Sequence, residues 1–236
     1  MSFSKSAVAL ALMAAGTSAI AAESWKSDVE VGLILTSGNT ETQSTNLKAG
    51  VEHESNKWRN EAKFETLNVK GKEGRLSERY VASGKTSYLI NDASYTFLTA
   101  DGEHDPFSGY AYQATSALGY GHRLIDTEAT VLDLNGGPGY RQTRIRGDED
   151  AVGEGVLRLA GLYTQKLSKT AEFSQALITA IGEVSAISKS VTAITAQIAG
   201  NMSMKAALTI RNNTEVPAGI KNTDTETAVT LVYTFK

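Results

Sequence analysis

The 236-residue chain contains no cysteine and only three prolines. Without cysteine there is no disulfide-stapled scaffold, the usual solution for a small exported protein. Past the N-terminal leader no 18 consecutive residues are apolar, which excludes a protein that crosses a membrane by helices. There is no excess of positive charge either: 23 Lys and Arg stand against 26 Asp and Glu, so the chain lacks the basic footprint of a nucleic-acid binder. The glycine-rich run Gly136–Arg141 lacks the Lys-Ser/Thr and following helix of a phosphate cradle. Its glycines instead predict a bulge or tight bend in a strand, and Pro138 a local break in pairing.

What remains is a leader and a long alternating pattern. Lys5, an apolar stretch from Ala7 to Ile20 and the small-residue motif Ala19-Ile20-Ala21 read as a secretory signal. The expectation is a signal peptide over 1–21, with cleavage after Ala21 or alternatively Ala22, and a single domain over 22–236. Removing the leader takes Lys5 and no acid, so the charge becomes 22 − 26 = −4.

Twelve segments then alternate at period two, the signature of strands with one apolar and one polar face. In Trp58–Lys70, Arg59, Glu61, Lys63 and Glu65 share one face and Trp58, Ala62, Phe64 and Thr66 the other. A cation facing lipid at mid-depth costs about 2–4 kcal/mol, so the charged row must face a lumen. The last segment, Glu226–Lys236, alternates Thr227, Val229, Leu231, Tyr233 and Phe235 against a mostly polar face. It is expected to close a barrel against Trp25–Leu35, because an open edge is not tolerated in lipid. Ala93–Asp101 is expected to point Ala93, Tyr95, Phe97 and Thr99 outward. Ala171–Val184 has an ambiguous phase, and Ser185–Lys189 reads as a loop before a weak strand.

The predicted fold is therefore all-β, a closed antiparallel transmembrane β-barrel of twelve strands with periplasmic termini. The strand count is even and the long connections fall on one end, as in bacterial barrels. Aromatics gather at the predicted interface depths. Trp25, Trp58, Tyr88, Tyr95, Tyr120, Phe173, Tyr233 and Phe235 form a lower girdle, and Tyr80, Tyr110, Tyr112 and Tyr140 an upper one. The lumen is predicted to hold Glu30, Arg59, Glu61, Lys63, Glu65, Arg79, Lys85, Asp133, Arg141, Glu154, Arg158, Lys205, Arg211 and Glu226. Both signs interleave, which argues against strong ion selectivity. Twelve strands lie between eight, which side chains fill, and sixteen, which leave a channel. Paired long side chains favour a narrow or plugged lumen.

Several short stretches, in order along the chain, carry a resemblance. They are Ser37-Gly38-Asn39-Thr40, Trp58-Arg59, Ser77-Glu78-Arg79-Tyr80, Asp105-Pro106-Phe107, Gly119-Tyr120-Gly121, Gly136–Arg141, Glu154 with Arg158, Asp224-Thr225 and Leu231-x-Tyr233-x-Phe235. On these the chain resembles the salt-induced outer-membrane proteins of Gram-negative bacteria, a family grouped under domains of unknown function. The resemblance implies an outer-membrane barrel in a salt- or stress-responsive envelope role and supplies no catalytic residue. Lys236 after Phe235 departs from the usual assembly signal, which ends on the aromatic.

Two other function classes are open at this stage. A porin-like channel for small solutes or ions needs a continuous lumen. A barrel-rim lipid-modifying enzyme needs a nucleophile and base in hydrogen-bond reach. His104, Asp105 and Ser108 are the nearest approach to that, although sequence neighbours do not make a triad. The acidic clusters Asp101, Glu103, Asp105 and Asp148, Glu149, Asp150 match no calcium-loop spacing. The expected reading is thus non-enzymatic, without metal or cofactor. Its expected partners are outer-membrane lipid and lipopolysaccharide, with the barrel assembly machinery during biogenesis and no nucleic acid.

Overall fold

The structure is a computed structural model that describes residues 24–36, 42–71 and 74–235. The expected signal peptide, the Ser37–Thr40 turn and Lys236 lie outside the described residues. Twelve strands follow one another: β1 Ser24–Thr36, β2 Thr42–Ser55, β3 Trp58–Gly71, β4 Gly74–Leu89, β5 Ser94–His104, β6 Tyr110–Asp126, β7 Thr130–Ile145, β8 Val152–Lys166, β9 Ala171–Gly182, β10 Ala186–Ala199, β11 Met202–Asn213 and β12 Thr223–Phe235. Each pairs antiparallel with its sequence neighbours, and β12 returns to β1 to close the barrel. The closing register runs from Ser27 opposite Phe235 to Val31 opposite Leu231. All-antiparallel closure removes every strand edge, the condition for backbone to cross lipid.

Burial is inverted relative to a water-soluble domain. Large apolar side chains such as Leu98, Leu118, Leu177, Ile194 and Leu231 are exposed on the outer surface, while Glu30, Asn46, Arg79, Arg141 and Arg158 are buried. In β12, Val229, Leu231, Tyr233 and Phe235 point out and Thr230 and Val232 point in. Tight turns cluster at one end. Asn56 adopts the left-handed conformation at φ 51°, and the Asn91 side chain accepts from the Ala93 and Ser94 amides. At the other end the connections over 105–109, 146–151 and 214–222 are longer.

Two expectations are corrected. The connection after β9 is short, and β10 already begins at Ala186. Ser188, Ser190 and Thr192 lie on the outer face and bond across to Thr179 and Gln175 of β9. Hydroxyls where lipid-facing apolar residues were expected hid the alternation, and Leu177 and Ile181 prove to be the outward pair of β9. The phase of β5 is also reversed. Tyr95, Phe97 and Thr99 are buried inside the barrel and Leu98 faces out. Tyr95 is 4% exposed, and so it is not a membrane-interface aromatic. Asp101 and Glu103 share its parity and would have faced lipid under the expected phase; keeping those carboxylates on the lumen side, where Asp101 lies 4.0 Å from Arg158, decides the strand.

The closing register yields a direct expectation. Deleting Tyr233–Lys236 removes the partners of Ser27, Asp28 and Val29 and leaves unpaired backbone groups at membrane depth, each costing several kcal/mol. The truncated chain is expected to lose the heat-modifiable folded band on gels. A normal band shift would show that this segment does not close the barrel.

Candidate functional site

The alternation that builds the wall puts the charged rows of β1–β4, β7, β8, β11 and β12 into one interior. Near the end with short turns, Lys205 of β11 reaches Glu30 of β1 at 2.6 Å, and the Thr230 hydroxyl donates to the other Glu30 oxygen. Arg59 bonds Glu54 at 2.9 Å, and Lys63 lies 3.8 Å from Glu61.

At mid-height, pairs form between strands that are not neighbours. Lys189 of β10 lies 3.5 Å from Glu65 of β3. Arg79 of β4 reaches Glu226 of β12 at 2.6 Å, with Arg211 3.8 Å from the same carboxylate and Asn46 donating to its second oxygen. On the far wall Arg158 bonds Asn135 and lies 4.0 Å from Asp101. Beside it the Tyr95 hydroxyl donates to Asp133 at 2.5 Å, and the Lys85 ammonium sits 4.8 Å over the Tyr95 ring.

Nearer the long-loop end Arg141 is 1% exposed. It donates to Glu154 at 2.6 Å, to the Ala180 and Ser185 carbonyls and to the Ser185 hydroxyl. Glu154 in turn accepts from the Val184 amide. The pair therefore ties the β9–β10 connection to β7 and β8. Charge-assisted, multidentate contacts of this kind are the strong ones.

All fourteen charged residues named for the lumen share the inward parity of their strands. Trp25, Trp58, Tyr88, Tyr120, Phe173, Tyr233 and Phe235 lie on outward parities. Tyr110 leaves the upper girdle. A bulge between Tyr110 and Tyr112 turns its ring inward, where its hydroxyl donates to the Glu215 carbonyl and accepts from Asn213. The sequence reading does not single out Lys189 or Asn46, ends the fifth strand at Asp101 and places Glu103 in the loop beyond it. Lys189 shares parity with Val191 and Ala193, opposite Ile194 and Ile198, and that offset was its available signal.

The interior is occupied. Ala193 and Ala117 point inward from β10 and β6 yet are only 2% and 3% exposed. A wide water-filled pore would leave such small wall residues open to solvent. The interior's cavities include one of about 360 Å³ toward the short-turn end and one of about 510 Å³ toward the long loops. They share no lining residue, and neither includes Glu65 or Lys189. Over the larger one the 214–222 connection spans the mouth to β6, on the opposite wall. Gly109, at φ 83°, lies close beneath it: a β-carbon there would stand 3.1 Å from both Pro217 and Ile220.

The placement of Tyr95 carries its own test. Its ring lies directly on Gly121 of β6, where a β-carbon would collide with it. Gly121→Ala is expected to lower unfolding stability by about 1–3 kcal/mol, the usual effect of overpacking, measured by denaturant titration in vesicles. No change would mean that Tyr95 faces lipid.

The residues nearest to a triad do not converge. His104 Nδ1 bonds the Ala111 carbonyl, Asp105 accepts from the Phe107 and Ser108 amides, and the Ser108 hydroxyl donates to the Asp105 carbonyl. Each side chain holds its own loop. Among the described residues no three His, Asp or Glu are grouped to hold a metal ion.

The model of a protein family of unknown function, DUF481, matches residues 29–235. The chain belongs to this family. It is 24% identical over 221 residues to the uncharacterized protein YdiY of Escherichia coli K12, covering 91% of this chain and 85% of that one. Among solved structures it superposes on the NanC porin with TM-score 0.56 at 14% identity, over 89% of this chain and 99% of that one. It also matches the COG4313 outer membrane channel of Pseudomonas putida F1 with TM-score 0.52 at 10% identity, over 92% and 97%. At such identities these structures establish the architecture: the fold is that of outer-membrane porins and channels. The expected family of outer-membrane barrels of unknown function is borne out.

Proposed function

We propose that the protein is a non-enzymatic outer-membrane barrel of the Gram-negative envelope whose resting lumen is closed by its own charged side chains. The near-complete burial of inward-facing Ala193 and Ala117 carries this reading, because open water beside the wall would expose them. The transverse Lys189–Glu65 and Arg79–Glu226 pairs support it, since each spans strands that do not touch. In this role the barrel contacts outer-membrane lipid and lipopolysaccharide, is inserted by the barrel assembly machinery, needs no cofactor and binds no nucleic acid. A salt- or stress-responsive role follows from the family resemblance. Its check is protein abundance in cells shifted to high salt, where a rise supports it and a constant level opposes it.

Liposome swelling tests the closed lumen. Proteoliposomes carrying the folded barrel are expected to swell in small sugars no faster than empty ones. Swelling that falls smoothly with sugar size would establish the second reading, a porin-like diffusion channel, which the fold shared with the NanC porin favours.

A further inference from the structure

The larger cavity has two chemically different sides. Its floor is the Arg79–Glu226–Arg211 cluster, two guanidiniums on one carboxylate, with one positive charge in excess. Arg79 and the second Glu226 oxygen are satisfied, by Glu226 and Asn46 respectively. Arg211 is not: its Nε is buried and has no hydrogen-bond partner. An unmade bond on a buried charged donor is costly, and the Arg211 side chain lines the cavity. One wall is apolar, although it lies inside a barrel on the water side. Leu67 and Val69 of β3, Leu76, Phe107 and Ile220 line it, and Leu76 and Phe107 are about half exposed. Apolar surface left open beside a free cationic donor is unfavourable to an empty, hydrated vestibule. Over the whole lining the charges balance, Arg79, Arg211 and Lys221 against Asp105, Asp224 and Glu226, so the preference for an anion rests on Arg211, which stands 3.8 Å from Glu226.

The geometry points to a binding site for a small amphiphilic anion, with a carboxylate or phosphate head on Arg211 and an aromatic or short aliphatic body against Leu67, Val69, Phe107 and Ile220. The cavity of about 510 Å³ lies in the ~300–1,000 Å³ range of small-molecule sites. This goes beyond the closed-lumen reading and does not depend on it, because the vestibule opens above the mid-height pairs.

The test uses the full barrel in lipid nanodiscs, with empty nanodiscs as baseline, and titrates by calorimetry. Benzoate and phenyl phosphate are the complete probes, acetate and inorganic phosphate supply the head alone, and benzyl alcohol the body alone. At least one complete probe is expected to bind at one per barrel, about tenfold or more tighter than its head or body alone. Whether benzoate or phenyl phosphate does so identifies the head group. Arg211→Gln is expected to weaken that probe about tenfold or more. The double variant Phe107→Ala and Ile220→Ser should weaken it several-fold and leave the head-only probes unchanged. If Arg211→Gln loses the heat-modifiable fold, the double variant decides alone. Equal affinity for the complete and head-only probes, or no loss in the double variant, overturns the site. A barrel that binds in this way but also admits sugars would refute the closed lumen and leave the site standing.

Discussion

Arg141→Met is expected to lower the unfolding free energy by ~3–5 kcal/mol, the effect of breaking a buried ion pair from one side. The size follows from what is left behind. Arg141 is 1% exposed and serves Glu154, two carbonyls and a hydroxyl. Its loss leaves the Glu154 carboxylate without a counter-charge, held by backbone amides such as that of Val184 at 2.9 Å, and leaves the Ser185 and Ala180 carbonyls short of a donor. Arg141→Lys keeps a charge but not the planar fork, so it is expected to recover only part of the loss. The double variant Arg141→Met, Glu154→Met is expected to be milder than Arg141→Met alone, because no charge is then buried unpaired. Urea titration of the folded barrel in vesicles measures all three. Equal stability of wild type and Arg141→Met would contradict the latch.

This latch was half visible in the sequence. Arg141 and Glu154 could be placed inward from the parity of Leu134, Tyr140 and Leu157 on their strands. That they would meet, and meet Ser185, follows from the β7–β8 register and the short β9–β10 connection, which alternation alone does not fix. The same division holds elsewhere. Strands with a charged row, such as β3, were legible in both extent and phase, because lipid forbids the alternative. Strands without one were not. In β5, aromatics at 95 and 97 compete with Leu98, and only the parity of Asp101 and Glu103 separates the two phases. In β10, the outward hydroxyls of Ser188, Ser190 and Thr192 remove the apolar signal, so from sequence alone Lys189 reads as loop. Its pairing with Glu65 across the barrel was therefore out of reach. Tyr110 was lost to a bulge, which changes parity without changing composition.

The second large effect concerns closure. Replacing Glu65, Lys189, Arg79 and Glu226 together by Ser removes both partners of the two transverse pairs and adds no net charge. The barrel wall is expected to persist, since each replaced residue keeps its backbone pairing. The cavities above and below should then communicate, because neither contains the Glu65–Lys189 pair that lies between them. Swelling rates in small sugars are expected to rise about tenfold or more over wild type, as for a barrel of this strand number whose interior is no longer filled. Replacing Lys189 alone should do less, because Glu65 then turns toward Lys48, its neighbour in the ladder. An unchanged rate in the quadruple variant would show that the obstruction lies elsewhere, first of all in the 214–222 connection over the mouth.

The most direct measurement of the closed lumen is single-channel recording of the purified wild-type barrel in planar bilayers, beside the quadruple variant under the same conditions. A closed lumen gives a silent or barely resolved wild-type record and clear stepwise openings from the variant. Stable, stepwise openings of the wild-type protein at low voltage, equal to those of the variant, would contradict it.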